Sequence, residues 1–444
     1  MNYALAAYIA IAACAVLVAG ALVLSAWEHR RFMRRRRAKR LGDGPWPRAM
    51  VFAPCRGVDL GLEENLRPLL VQRYPDYKVA FIVESEHDPA CEVIRRLIAR
   101  HPEVPSRLVF AGEAVDSGQK VHNLIVATGD LPGDVDVLAF VDSDARPHPD
   151  WLSRLVERVR KDEVGAATGY RWFVPDRGGL ANLLLSSINA NVAGLMGPHW
   201  HNRVWGGSWA IRRETFEAIE LRRRWRATLS DDLVASRLLH EAGLKVAFEP
   251  HCLVASPVAM TTAAMLEFMR RQFVVGRFYA RRLWLTSLAV STLGVAAFWG
   301  GIVLAAWWLA TRQPWAWVPL AGSALLYALS AVRAWLRQDG TLVYFPKESR
   351  GLRRAARFDI WAAPIAQFVA WCGLLASLVG RRIVWRGISY RLGAGGRVQI
   401  EATQSVVGCL SGSGKDRRMD QPGDEGRRVG GGSPRIAAGR ATAD

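Results

Sequence analysis

The chain predicts an α/β domain built on a parallel sheet with helical crossovers, held to a membrane by helices before and after it. Three observations carry that expectation. Half of the 444 residues are hydrophobic yet 22% are charged, so the apolar residues must be gathered in blocks that alternate with a charged, soluble portion. Long charge-free blocks stand near the start of the chain and return after residue 282. Between them, short β-rich apolar runs alternate with amphipathic stretches, which is the pattern of strands joined by helices. This composition excludes a disordered or collagen-like chain.

No residue between 4 and 26 is charged. At about 1.5 Å per residue the run crosses a hydrocarbon core of roughly 30 Å, so 4–26 reads as a transmembrane helix. A cleaved signal peptide carries its basic residues before the apolar run, whereas Arg30, Arg31, Arg34, Arg35, Arg36, Arg37, Lys39 and Arg40 follow it. By the positive-inside rule the N-terminus faces out, and residues 27–47 form a basic cytoplasmic linker. The formal net charge of +19 suits an anionic partner. Because the basic cluster abuts a membrane helix, it suits an anionic lipid surface, and no nucleic-acid partner is expected. Six cysteines without CxxC or Cys/His spacing point to neither a disulfide framework nor a zinc site.

Residues 48–260 read as the soluble domain, with strands near 50–53, 79–83 and 135–141 and amphipathic stretches near 60–72, 91–100 and 151–159. Open α/β sheets bind ligands beyond the carboxyl ends of their strands, so the loops after these strands are the candidate site. Residues 261–282 read as an interfacial amphipathic segment: Arg270, Arg271, Arg277, Arg281 and Arg282 are interleaved with Phe268, Phe273, Phe278 and Tyr279. A plain positive-inside anchor has the same composition. Residues 283–310 and 315–336 form a membrane hairpin with basic ends. A third block, 360–379, would carry Arg381, Arg382, Arg386 and Arg391 outside if it spanned, so a re-entrant or interfacial segment broken near Pro364 or Gly373 is favoured. Residues 393–444 are rich in Gly, Ser, Asp and Arg and read as a disordered tail. Within it, residues 408–416 imitate a phosphate loop, but the glycine spacing is wrong and Asp416 replaces the Ser/Thr.

Two acidic features could carry chemistry. The apolar run 137–141 leads straight into Asp142, Ser143 and Asp144. Alternate carboxylates at a strand end can hold a hard divalent cation against a diphosphate; a solvated turn with Asp150 capping the next helix gives the same pattern. Asp231 and Asp232 follow an arginine-rich stretch and open a helix-like run, as a helix cap does and as a carboxylate placed to accept a proton from an attacking hydroxyl also does.

These features occur in a recognisable order: PCRGVD from Pro54 to Asp59, YPDY from Tyr74, ESEHDP from Glu84, KVHNL from Lys120, DSD from Asp142, GGS from Gly206 and SDD from Ser230. Over about residues 1–285 the set resembles the ceramide glucosyltransferases, membrane-bound inverting glycosyltransferases of the GT-A fold and of the family 2/21 type. The resemblance implies a GT-A nucleotide-sugar-binding domain that moves a hexose, glucose first, from a UDP-sugar to the hydroxyl of a membrane lipid. Ceramide is the first acceptor; a hopanoid or other lipid, and N-acetylglucosamine as the sugar, fit the same pattern. It further implies that Asp142 and Asp144 hold Mg2+ or Mn2+ on the donor diphosphate. Lys120 and Asn123 would lie near uridine or phosphate, and Glu84 and Asp88, with Glu86 between them, near the nucleobase. An exposed helix start is the plain alternative for Lys120 and Asn123. Gly206 and Gly207 would let the backbone approach the sugar, although a tight turn also explains them. Asp232 would be the general base, with Asp231 orienting the base or the acceptor. The family ends its site with an Arg/Gln-x-x-Arg-Trp motif; Arg271 is the best match for its arginine, Gln272 replaces its tryptophan, and Phe273 is a displaced aromatic. That departure argues against a processive polysaccharide synthase. Residues 381–390 resemble the closing segment of bacterial membrane glycosyltransferases, which implies a bacterial inner-membrane protein with its catalytic domain and C-terminus in the cytoplasm. The rival from another class is a noncatalytic basic membrane tether, which leaves the acidic loops without a task.

Overall fold

A computed structural model of the protein describes residues 3–59, 61–175, 179–199, 201–345 and 349–403. The long helix α1 (Tyr3–Arg37) leads into the α/β domain. That domain contains β1 (Ala49–Pro54), α2 (Leu62–Leu66), β2 (Tyr77–Val83), α3 (Ala90–Arg100), β3 (Ser106–Phe110), α4 (Gln119–Ala127), β4 (Val137–Val141), α5 (Trp151–Val159) and β5 (Val164–Pro175). It continues with α6 (Leu180–Ala193), β6 (Ser208–Arg212), α7 (Arg213–Ala218), α8 (Leu221–Arg224), α9 (Asp231–Glu241) and β7 (Lys245–Val258). Then come α10 (Thr262–Tyr279), α11 (Arg281–Ala310), α12 (Trp317–Leu342), α13 (Ser349–Trp361), α14 (Ala363–Ala376), β8 (Arg382–Trp385), β9 (Ile388–Leu392) and β10 (Val398–Thr403).

Strands β1 and β4 are buried along their whole length, and their near-continuous apolar sequences are what a sheet covered on both faces requires. The sheet order is β3-β2-β1-β4-β6-β5-β7. One face is packed by Ile94 and Leu97 of α3 and by Trp151, Leu155 and Val159 of α5. The other face is packed by Val121 and Leu124 of α4 and by Val234 and Leu238 of α9. Burying one such leucine contributes about 1.5–3 kcal/mol, so each crossover helix is fixed mainly by its apolar stripe. The buried Trp151 indole is also satisfied, donating to Ser208 Oγ at 2.8 Å.

The structure departs from the sequence-based expectation in three places. The sheet is mixed rather than parallel: β6 runs antiparallel to both β4 and β5. The chain turns at Gly206 and Gly207 directly into β6, so β6 starts at the sheet edge where β4 ends. Helix α1 does not stop where its charge-free run stops, because no Gly or Pro stands between Trp27 and Leu41; it continues through the basic cluster to Arg37. Arg36 is buried there and forms a close ion pair with the buried Glu249 of β7, while Arg30 and Arg34 reach Asp339 of α12 at 2.5 and 2.6 Å. Finally, the expected tail begins too early. Val398–Thr403 is a strand that completes a second sheet, β10-β9-β8, with Val398 buried in an apolar cluster with Ile383, Tyr390 and Leu392. The glycines around this strand hid it in the composition. Residues 404–444, including the phosphate-loop imitation, lie outside the described residues.

Among the described residues three helices, α1, α11 and α12, are long and apolar enough to cross a membrane, and they leave Leu17, Leu24, Val303, Trp307 and Leu320 exposed. Exposed apolar surface of this extent suits lipid rather than water. Leu5, Trp308 and Ala316 pack together, so the start of α1 and the turn between α11 and α12 share one end of the bundle. Helices α13 and α14 meet at a bend of 84°, with Pro364 in the first turn of α14, where its missing N–H costs nothing. The buried Asp359 of α13 accepts from Arg337 and Gln338 of α12 and forms a close hydrogen bond with Ser187 of α6, which joins the bundle to the α/β domain.

Candidate active site

Strand β1 pairs in parallel with β2 on one side and β4 on the other, so strand order reverses between β1 and β4. At such a switch point the loops diverge and leave a crevice beyond the carboxyl ends of the strands. Arg56 and Asp59 enter it after β1, Asp142 to Asp144 after β4, and Gly206 and Gly207 just before the antiparallel β6. A Cβ on Gly206 would lie 2.8 Å from an Asp231 oxygen and 2.9 Å from Lys120 Nζ. On Gly207 it would lie 2.3 Å from the Trp205 ring and 2.7 Å from Asp142. Both positions are therefore glycine because charged groups and an indole press on the backbone, not because the chain needs a positive φ there.

Lys120, in the first turn of α4, is the cation at the centre. Its Nζ is 2.7 Å from Asp142 Oδ1 and 3.2 Å from Asp231 Oδ1, and it donates to the Gly206 carbonyl at 3.2 Å. Burial alone would lower its pKa, but Asp142, Asp231 and Asp232 outweigh that and raise it, so the ammonium stays charged. Arg171, from the middle of β5, lies 3.6 Å from Asp142 and 3.8 Å from Asp144, with its guanidinium 5.0 Å from the Trp205 ring centre. Burial pushes the Asp142 carboxyl up, and Lys120 and Arg171 together overcome it, so Asp142 is held below the usual carboxylate range.

Asp231 behaves differently. Burial raises its pKa to about 7, with Asp232 and Asp142 adding to the shift and Lys120 opposing it. Its Oδ2 is buried without a hydrogen-bond partner among the described residues. The cap of α9 is Ser230, whose Oγ accepts from Leu233 N at 3.3 Å, so Asp231 is not spent on capping. Asp232 is more accessible than Asp231. Its Oδ2 accepts from Gly206 N at 3.0 Å, while Oδ1 accepts from Ser230 Oγ at 2.5 Å and Leu233 N at 2.7 Å. The backbone between the two glycine-rich and acidic motifs is thus locked to the start of α9.

Asp142, Asp144, Lys120, Asp231, Asp232, Gly206 and Gly207 therefore converge in one crevice. Glu84, Asp88 and Asn123 are engaged beside it. Glu84 forms a close ion pair with Arg56. Asp88 is buried and accepts from Gly57 N at 3.0 Å and Ala90 N at 2.9 Å, tying the β1 loop to the start of α3. Asn123 is buried and accepts from Gln119 Nε2 at 2.9 Å. Arg271 of α10 is flanked by Phe268 and Trp385, with ring centres 5.1 and 5.4 Å from its guanidinium carbon. Burial, with repulsion from Arg171, lowers its pKa to about 10. An indole thus stacks on this arginine although Gln272 stands next to it in sequence; it comes from β8.

Several site residues carry no role in the sequence reading. Arg171 had a signal, an arginine interrupting an otherwise buried strand. Arg386 lies in the segment 381–390, whose resemblance bears on topology alone, and nothing local points it at the crevice. It occupies the two-residue turn between β8 and β9, donating to Asp59 Oδ2 at 2.8 Å and to the Arg56 carbonyl at 2.7 Å. Tyr390 on the same hairpin accepts from Gln119 N at 3.2 Å, beside Lys120.

A family model described as Glycosyl transferase family 21 matches residues 8–398. The chain belongs to that family. Ceramide glucosyltransferase 1 of Caenorhabditis elegans is 23% identical over 248 residues, which is 54% of this chain and 51% of that protein. Ceramide glucosyltransferase 3 of the same organism is 32% identical over 85 residues, 19% of this chain and 18% of that protein. The ceramide glucosyltransferase of Komagataella phaffii is 30% identical over 115 residues, 25% of this chain and 22% of that protein. The chain spans about half the length of the first of these relatives and less of the other two. Among solved structures, the mannosyltransferase PcManGT from Pyrobaculum calidifontis in complex with GDP-Man and Mn2+ is similar with a TM-score of 0.44 and 16% identity, covering 84% of this chain and 97% of that one.

Proposed function

We propose that the crevice transfers a hexose, glucose first, from a UDP-sugar to the hydroxyl of a membrane lipid of the ceramide class, with inversion at the anomeric carbon, on the cytoplasmic side. The observation that carries the reading is the convergence of Asp142, Lys120, Asp231 and Asp232 at the strand-order switch of a family 21 chain whose three apolar helices suit a membrane.

The residues divide into a donor side and an acceptor side. Lys120 and Arg171 bring positive charge to the place where a leaving diphosphate gains negative charge, which is the preorganised stabilisation transfer reactions need. Asp142 and Asp144 supply hard carboxylate oxygens at one loop, a donor type that suits Mg2+ or Mn2+, and a bound ion would take over the oxygens that Lys120 and Arg171 neutralise. No group of three or more His, Cys, Asp or Glu side chains with metal-site geometry occurs among the described residues, so diphosphate oxygens would complete the ligand set. Such an ion, when bound, neutralises the leaving group. Asp232 is the base because it is the accessible member of the acidic pair. It takes the lipid hydroxyl proton as that oxygen bonds to the anomeric carbon from the face opposite UDP. The bond from that carbon to phosphate oxygen breaks, and UDP leaves with the electron pair. One displacement gives inversion. Asp231, buried against Lys120, belongs to the donor side.

The test is UDP release by the purified protein in nanodiscs, with UDP-glucose, Mn2+ and either ceramide or a hopanoid polyol, and with EDTA and Asp232→Asn as controls. Release that depends on ceramide and is abolished by both controls supports the reading. Release only with the polyol replaces the acceptor, and absence of release with either lipid, together with failure to bind UDP-sugar, overturns it.

A further inference from the structure

The β8–β9 hairpin follows the membrane segments in the chain and folds back to the crevice, and its turn has an unusual residue. Trp385 pairs with Ile388, so Arg386 and Gly387 alone make the connection, and both have positive φ, 48° and 78°. Such a turn is made with least strain by Asn or Gly, because a Cβ crowds the backbone at positive φ. An arginine there points to work done by its side chain.

That side chain lies between the loop after β1 and the acidic loop after β4. It is about a third exposed, and the described hydrogen bonds use two of the guanidinium's five donors. Its partner oxygen, Asp59 Oδ2, also accepts from Ser143 Oγ at 3.3 Å, the central residue of the acidic loop. Arg386 is thus one carboxylate away from Asp142 and Asp144. The sheet behind it is braced to the other walls of the crevice. Tyr390 accepts from Gln119 N, Val398 N donates to the Ala227 carbonyl at 3.0 Å, and Trp385 stacks on Arg271. The loop after β1, the start of α4 and the arginine of α10 are therefore tied to a module of about twenty residues that sits last among the described elements.

We propose that this hairpin is a donor clamp, in which Arg386 exchanges Asp59 for a diphosphate oxygen of the nucleotide sugar. The inference rests on the donor reading above. A planar guanidinium with unused donors matches a diphosphate better than it matches one carboxylate oxygen. Asp59 is the resting partner that keeps Arg386 in place and charged before the donor arrives.

The experiment is equilibrium binding of UDP and of uridine to the full-length protein in nanodiscs, for wild type, Arg386→Asn and Arg386→Lys. Asparagine suits the positive φ, so the hairpin is retained, and the thermal midpoint checks this. The expected result is at least a tenfold loss of UDP affinity in Arg386→Asn, uridine affinity within twofold of wild type, and partial recovery in Arg386→Lys. Unchanged UDP affinity in a folded Arg386→Asn protein overturns the clamp, and so does an equal loss for UDP and uridine, which marks a purely structural role. If wild type does not bind UDP, the donor reading itself fails and the clamp with it.

Discussion

Two adjacent carboxylates that look alike in sequence are made different by what surrounds them. Asp232 accepts from Gly206 N and Leu233 N, whereas Asp231 is sealed beside Lys120 with one oxygen unpaired. If Asp232 is the base, Asp232→Asn lowers the transfer rate by about 10^2 to 10^4-fold while UDP affinity stays within a few-fold, because only the proton acceptor is lost. Steady-state rates and equilibrium binding on the same preparation check both halves. Asp231 makes a separate prediction about stability. Its native pKa is about 7 against roughly 3.9 in an unfolded chain, so between these values the native state holds a proton that the unfolded state releases. Stability contributed by this group is therefore full below pH ~4 and declines as pH rises towards 7. In EDTA, the thermal midpoint of Asp231→Asn should fall less than that of wild type between pH 5 and pH 7.5; an equal fall would show that Asp231 titrates normally. Gly207→Ala should damage the site by crowding, since its Cβ would meet the Trp205 ring and Asp142; overpacking of this kind costs about 1–3 kcal/mol and is read as a lowered midpoint with lost UDP binding.

Elements in this chain are joined by buried polar contacts as much as by apolar stripes. Arg337 and Asp359 form a bidentate pair between α12 and α13 at 2.9 and 2.5 Å, with both side chains almost inaccessible. Removing one partner of such a pair leaves a buried charge without compensation, which costs about 3–5 kcal/mol. Asp359→Ala is therefore expected to lower the thermal midpoint sharply. The loss should be smaller in the double variant Asp359→Ala with Arg337→Leu, which removes both charges; equal losses would show that the pair carries no coupling. At this scale the sequence was partly legible. The apolar strands β1 and β4 announced themselves, and so did α3 and α5 by their stripes. Strand β10 did not, because it follows a glycine-rich turn and owes its place to pairing with β9, burial of Val398 and the backbone bond to Ala227, none of which shows in composition. The reversal of β6 was equally hidden, since a buried strand reads the same in either direction.

For the whole molecule, the positive-inside rule and the packing of α1 against the α11–α12 turn make one statement about orientation. The turn near Gln313 should face away from the catalytic domain. A membrane-impermeant thiol reagent applied to intact cells is expected to label Gln313→Cys and not Gln399→Cys, in a background where Cys14, Cys372 and Cys409 are replaced. The reverse pattern would invert the proposed topology.

Local chemistry is what the sequence by itself determined. Hydrophobic blocks marked the helices α1, α11 and α12, the acidic pairs marked Asp142, Asp144, Asp231 and Asp232, and the family resemblance added Lys120; the fold brings these site residues together. Period and composition are properties of neighbouring residues, so such features survive in a linear reading. Contacts between distant segments were decided only by the tertiary structure. Arg171 needed the β4–β6–β5 pairing to reach the acidic loop. Trp385 had to be folded back onto Arg271, and Arg386 onto Asp59, 327 residues away in the chain. Asp88 and Asn123 were drawn into local hydrogen bonds because a buried polar group left without a partner is costly. Contacts between distant segments, made by folding and not by spacing, are why Arg171 and Arg386 could not be placed at the crevice before the chain was folded.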